Sequence, residues 1–141
     1  MELSIIFLPL IASIISGFFG KFIGDRNSEI LTSVLVSISA LLSIHVLYQV
    51  IVNQYEENIV VATWISSGSL DVNWSMLIDP LSAVMLVVVT SISALVHIYS
   101  IGYMSHDPHK QRFMAYLSLF TFAMLTLVTS DNFLQLFFGW E

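Results

Sequence analysis

One carboxylate and two imidazoles lie inside long apolar runs of this sequence, and their surroundings favour chemistry. Glu141 closes the segment Ser130-Asp131-Asn132-Phe133-Leu134-Gln135-Leu136-Phe137-Phe138-Gly139-Trp140-Glu141. Ten residues of α-helix from Asp131 advance roughly 15 Å, half of a hydrocarbon core about 30 Å thick, so the acid is expected near a bilayer midplane. Ionisable groups are costly at that depth and mark proton or ion paths by default. A carboxyl group held away from water prefers its protonated form, and an approaching ammonium reverses that preference, so a movable basic neighbour would load and unload a proton. The competing reading is a neutral acid that hydrogen-bonds an adjacent helix. No stable membrane helix is expected to stop at such a residue, which points to a piece of a longer transporter-like chain.

His97 is expected four residues from the end of its span, close enough to water to pass protons near neutral pH; His45 stands seven residues from the end of another. Both could equally be hydrogen-bonded packing residues. His106, Asp107 and His109 cluster beside Pro108, a spacing that fits a turn better than a metal site. The sequence has no glycine-rich phosphate loop, no Ser-His-Asp spacing and no metal-binding helix motif. With no cysteine there are no disulfides, thiolate nucleophiles or Cys-ligated iron–sulfur clusters.

The elements that must position these groups follow from composition. The 141 residues are 57% hydrophobic and 10% charged, with a mean hydropathy of +0.87, whereas soluble domains carry roughly 25% charged residues. That is a membrane composition. The net charge of −6 has little bearing on partners, and four Lys and Arg residues cannot form the basic stripe that nucleic acid requires. Apolar runs at 3–20, 30–52, 80–101 and 113–129 are long enough to span a bilayer, and a fifth at 132–141 covers half of one. Backbone amides in lipid must pair within their own segment, so the runs predict helices. The expected fold is an all-α integral membrane helix bundle of four to five transmembrane helices, with a small external β-hairpin in loop 53–79.

Within that loop, Leu70, Val72, Trp74 and Met76 alternate with polar residues, Ile59–Ile65 is rich in β-branched side chains, and Ser66-Ser67-Gly68-Ser69 supplies the turn. The hairpin is expected to cover helix ends or touch a neighbouring subunit. Asp79 before Pro80, and Ser130-Asp131, read as helix N-caps. Small residues one turn apart (Ser13, Gly17 and Gly20; Ser33, Ser37 and Ala40) predict close helix packing, as does Gly139 beside a space-filling Trp140. Lys21, Arg26, Lys110 and Arg112 all fall in two loops at one face, which the positive-inside rule assigns to the cytoplasm or mitochondrial matrix. The N-terminus and hairpin then lie outside, and the first run, lacking a basic leader, reads as a retained span.

The run Leu95-Val96-His97-Ile98-Tyr99-Ser100-Ile101-Gly102-Tyr103-Met104, the following His106-Asp107, Asp79-Pro80-Leu81-Ser82 and the ending Phe138-Gly139-Trp140-Glu141 resemble the start of the antiporter-like chain 5, or subunit L, family of respiratory complex I, NADH:quinone oxidoreductase. The resemblance covers the whole chain, and related subunits of multisubunit sodium/proton antiporters share it. It implies an enzyme subunit that translocates protons coupled to electron transfer, in a bacterial inner membrane or a mitochondrial inner membrane. NADH, FMN, iron–sulfur clusters and quinone would sit elsewhere in the complex, no cofactor or metal in this chain, and the partners would be the lipid bilayer and other membrane subunits. In the family, the glutamate matching Glu141 pairs with a lysine on a later, broken helix. Here the only lysines, Lys21 and Lys110, are in loops and cannot be that partner. The resemblance therefore implies the N-terminal portion of a longer subunit, inactive alone, with Glu141 as half of an acid–lysine switch; the place of His97 within a span separately suggests a proton relay. An independent reading is a small membrane assembly or scaffold protein.

Overall fold

Five helices and one hairpin follow one another as α1 (Glu2–Ile23), α2 (Asp25–Asn53), β1 (Glu57–Ser67), β2 (Leu70–Ile78), α3 (Pro80–Tyr103), α4 (Lys110–Val128) and α5 (Phe133–Trp140) in the computed structural model, which describes residues 2–54, 57–103, 105–106, 108–130 and 132–141. Helices α1 to α4 are long and apolar enough to cross a membrane. This is the expected helical membrane bundle with a hairpin, although several boundaries differ.

The polar stretch between the first two spans is not an open loop. Helix α1 runs on to Ile23 and α2 begins at Asp25, five residues before the expected Ile30. Gly24 makes the reversal alone at φ 96°, a conformation open to glycine at little cost. Its N–H donates to Gly20 O at 2.8 Å and its carbonyl accepts from Ser28 N at 3.0 Å, so Arg26 and Glu29 become helical residues. Helix α4 likewise starts at Lys110 rather than Phe113.

The two strands pair antiparallel, with Ser67 opposite Leu70 around a Gly68-Ser69 turn and two register irregularities on β1. Both are longer than their sequence pattern suggested. Val72, Met76 and Ile78 are buried. Leu77 N donates to Thr129 O at 2.8 Å, and Trp74 meets Phe138 of α5 with ring centroids 4.7 Å apart. The hairpin therefore covers helix ends, as expected.

The caps divide. Asp79 Oδ1 accepts from Ser82 N at 2.7 Å and caps α3 as expected. For α5 the cap is Asn132, whose extended backbone lets Oδ1 accept from Gln135 N at 2.8 Å. Ser130 instead donates its hydroxyl to Leu127 O at 2.8 Å, closing α4, and Asp131 lies outside the described residues. Gly17 and Gly20 face α4, where a Cβ on Gly20 would run into Gln111, so the small stripe of α1 does permit close approach.

The interior is not uniform. Toward the hairpin it is built on an apolar cluster of Ile5, Ile6, Val46, Val50, Met76, Ile78, Ala83, Leu86 and Leu125, with Ser75, Ser82, Thr126, Thr129 and Gln135 buried beside it. Toward the opposite end, where all four basic residues lie, buried positions are taken by Ser28, Glu29, Thr32, Ser33, His97, Ser100 and Ser118. Hydroxyls tolerate burial in a helix because they can bond a carbonyl one turn back, as Thr32 does to Ser28 O at 2.9 Å.

Candidate functional site

His97 is fully buried, which corrects its expected place near water. Helix α3 continues six residues past it to Tyr103 and packs against both α2 and α4. Its Nδ1 lies 2.7 Å from Ser93 O, an atom that can only accept, so Nδ1 carries the hydrogen. Nε2 then accepts from the Ser118 hydroxyl of α4 at 3.1 Å. One turn away Ser93 and Thr121 hydroxyls pair across the same α3–α4 contact, and Ser43 of α2 bonds Thr90 of α3 at 2.7 Å. This row joins three helices. Chemically, the imidazole can take a proton on Nε2 while Nδ1–H stays on the carbonyl. The proton must leave by the same nitrogen unless the ring turns, so this geometry suits storage.

Glu141 follows α5. Its N–H donates to Phe137 O at 2.9 Å, and among the described residues its exposed carboxylate has no partner. The close contact that sets its depth is made by Gly139, where a Cβ would come 2.8 Å from Leu127 N and 3.0 Å from Ala123 O. Glu141 therefore stands beside the last third of α4, close to the level of Ala123 and on the hairpin side of that helix's middle. Ala123 and Thr121 are two positions apart on a helix, roughly 200° of rotation, so α5 and the hydroxyl row occupy opposite flanks of α4. The structure does not bring Glu141 and His97 together. Lys110 is thirteen residues from Ala123 along α4, roughly 20 Å at the helical rise, and Lys21 lines a cavity of about 440 Å³ at that same end with Arg112 and His109. Neither lysine reaches Glu141.

His45 is exposed on the outer surface of α2, apart from the row. His106 is exposed in the turn after α3, and His109 immediately precedes α4; Asp107 lies outside the described residues. Two buried polar residues escaped the sequence pattern. Gln135, 2% exposed, bonds both Ser75 N and Ser75 O from within an apolar helix. Glu29 is 5% exposed near the start of α2. A signal for it existed: Glu29, Ser33, Val36, Ala40 and Ser43 recur at helical spacing on one buried face, and the small-residue stripe simply begins one turn earlier than expected.

A family described as NADH-Ubiquinone oxidoreductase (complex I), chain 5 N-terminus, matches residues 64–114, which carry the hairpin turn, α3 and the start of α4. Similarity extends over the whole chain in individual relatives. NADH-ubiquinone oxidoreductase chain 5 of Arabidopsis thaliana is 55% identical over 141 residues, covering 100% of this chain and 21% of that one. Along its whole length the chain is similar to part of complex I chain 5. The chain 5 proteins of Phytophthora infestans and Trichophyton rubrum agree, with 52% identity over 139 residues and 50% over 141. Against these chain 5 relatives the present sequence spans only about 21% and 22% of their length, respectively. His97 falls inside the family match and Glu141 beyond it, within the stretch shared with the individual chain 5 proteins.

Proposed function

We propose that this chain supplies the first helices of the antiporter-like membrane subunit of a proton-translocating NADH–ubiquinone oxidoreductase, and that Glu141 carries a proton in its path. The observation behind it is the position of Glu141. An acid at the end of an apolar helix, packed beside the 123–127 stretch of α4, is exposed on the bundle and has both lysines of the sequence far off. A group so placed is expensive in lipid unless another segment meets it, and the relatives are about five times longer, with ample chain to supply a lysine. NADH, FMN, iron–sulfur clusters and quinone belong to other subunits of that assembly, so electron transfer happens elsewhere and this chain's task is to hold and release protons. His97 acts as a proton store within the bundle. Plant, oomycete and fungal relatives support the inner mitochondrial membrane as the location, with the hairpin on the outer side.

The test replaces Glu141 by Gln and by Asp in the full-length protein within the assembled, reconstituted complex. Proton uptake per NADH oxidised is expected to fall in Glu141→Gln and to return largely in Glu141→Asp. Uptake equal to the parent in Glu141→Gln removes this residue from the path.

A further inference from the structure

Glu29 and His97 are the two buried ionisable side chains among the described residues, and they stand on facing helices. The Ser43–Thr90 bond fixes the antiparallel register of α2 on α3. Counting from it, Ser33 falls level with Ser100, Val36 with His97, and Glu29 about 10 Å beyond His97 toward the basic end. The face of α2 that carries Glu29 is the one that meets α3: Ser43 bonds Thr90, and Val36 and Ala40 pack on Ala94. Both Ser33 and Ser100 are buried between the two ionisable groups.

Four buried side-chain oxygens lack a hydrogen-bond partner among the described residues: Ser28 Oγ, Glu29 Oε1, Ser33 Oγ and Ser75 Oγ. Three of these fall within six consecutive residues at the start of α2. Each orphan costs on the order of 1–3 kcal/mol unless satisfied, and clustered orphans in a polar site are what ordered water occupies. Among the described residues the other charged or titratable groups at this end are Lys21 of α1, Tyr99 and Tyr103 of α3, Asp25 and Arg26 on the first turn of α2, and His106, His109, Lys110, Arg112 and Tyr116 before and on α4; none is buried. Asp25 Oδ1 accepts from Gln111 Nε2 at 2.7 Å, so it is already engaged. Glu29 alone offers a proton-exchanging group at the mouth of the hydroxyl-lined interior.

We propose that Glu29, with Ser28 and Ser33, holds a chain of water molecules and forms a proton inlet from the basic face of the bundle to His97. A span of about 10 Å needs roughly three oxygen-to-oxygen steps of hydrogen-bond length. The Glu29 carboxylate takes a proton from water at the basic face. It passes that proton through water held at Ser33 and Ser100 to His97 Nε2 and returns to carboxylate, so charge and protons balance. The inlet rests on the proton-translocation reading above, although it does not depend on Glu141.

The deciding experiment compares Glu29→Gln, Glu29→Asp and Glu141→Gln in the full-length protein of the assembled complex, scoring proton uptake per NADH oxidised. Radiolytic hydroxyl labelling of residues 28–33 in the parent complex reports bound water independently. Glu29→Gln is expected to lower uptake through this path by about 100-fold, the contribution typical of a positioned proton-transfer group, with Glu29→Asp recovering most of it. Labelling is expected on Glu29 and Ser33. A Glu29→Gln complex that takes up protons like the parent overturns the inlet whatever Glu141→Gln does. A defect in Glu29→Gln alone leaves the inlet standing and sinks the Glu141 assignment. Where Glu29→Gln fails to assemble, Ser33→Val decides: the branched side chain fills the water position, and uptake equal to the parent counts against the inlet. Loss of uptake that added sodium restores would give the site to a sodium ion and overturn the proton assignment.

Discussion

His97 shows what a polar group inside an apolar bundle requires. Its two nitrogens are matched to one acceptor and one donor on different helices, Ser93 O at 2.7 Å and Ser118 Oγ at 3.1 Å, so the ring is locked in one tautomer. Replacing it by leucine keeps most of the volume and leaves the Ser118 hydroxyl facing hydrocarbon. Interhelical hydrogen bonds inside membrane bundles are worth about 0.6 to 1.7 kcal/mol, and a stranded hydroxyl adds to that loss. His97→Leu is therefore expected to cost about 1–2 kcal/mol, read as a lower midpoint in thermal inactivation of the complex. Ser118→Ala, which removes the donor and leaves Nε2 bare, should fall in the same direction. A His97→Leu protein as stable as the parent would show that the imidazole is not held as described. The expectation of a histidine near water failed at this scale for a definite reason. Distance from a helix end says nothing about the two neighbouring helices that pack against it.

Helix α5 illustrates how one element is seated by two residues. Gln135 presents its side-chain amide to Ser75 as a strand would, with Nε2 donating to Ser75 O at 2.7 Å and Oε1 accepting from Ser75 N at 3.0 Å. Gln135→Leu strips both partners from a residue that is 1% exposed, and a loss of about 2–3 kcal/mol is expected in chemical unfolding of the hairpin end. Gly139 works from the other end of the helix. A Cβ there would meet the backbone of α4 at 2.8 Å, and backbone cannot swing aside as a side chain can. Gly139→Ala is expected to displace α5 and cost about 1–3 kcal/mol, with lower proton uptake because Glu141 moves too. Wild-type stability and uptake in that variant would mean that α5 is not packed so tightly. Helix types, the hairpin and the role of Gly139 were legible in the sequence, because hydropathy, alternation and residue size act locally. Gln135 was not, since its partner lies sixty residues away on a strand edge whose register no local pattern reports.

The whole molecule is asymmetric along its axis: an apolar cluster lies under the hairpin, and the two buried ionisable groups, an imidazole and a carboxylate, lie toward the basic end. The spans themselves were readable from hydropathy alone. The hydroxyl row was not, because it depends on how three helices slide against one another, and Glu29 was hidden inside what read as a charged loop until Gly24 turned the chain in a single residue. The four basic residues, all at that end, predict which way the bundle faces, since Lys and Arg near span ends favour the cytoplasmic or matrix side. The absence of cysteine makes residues 1–141 suited to single-cysteine reporters. Ser69→Cys lies at the hairpin turn and Ser105→Cys in the α3–α4 turn, both exposed. In sealed vesicles of known orientation, a membrane-impermeant maleimide applied from outside the inner membrane should label Ser69→Cys, and should reach Ser105→Cys only after permeabilisation. The opposite pattern would invert the bundle, and the proposed inlet at Glu29 would then open to the outer face.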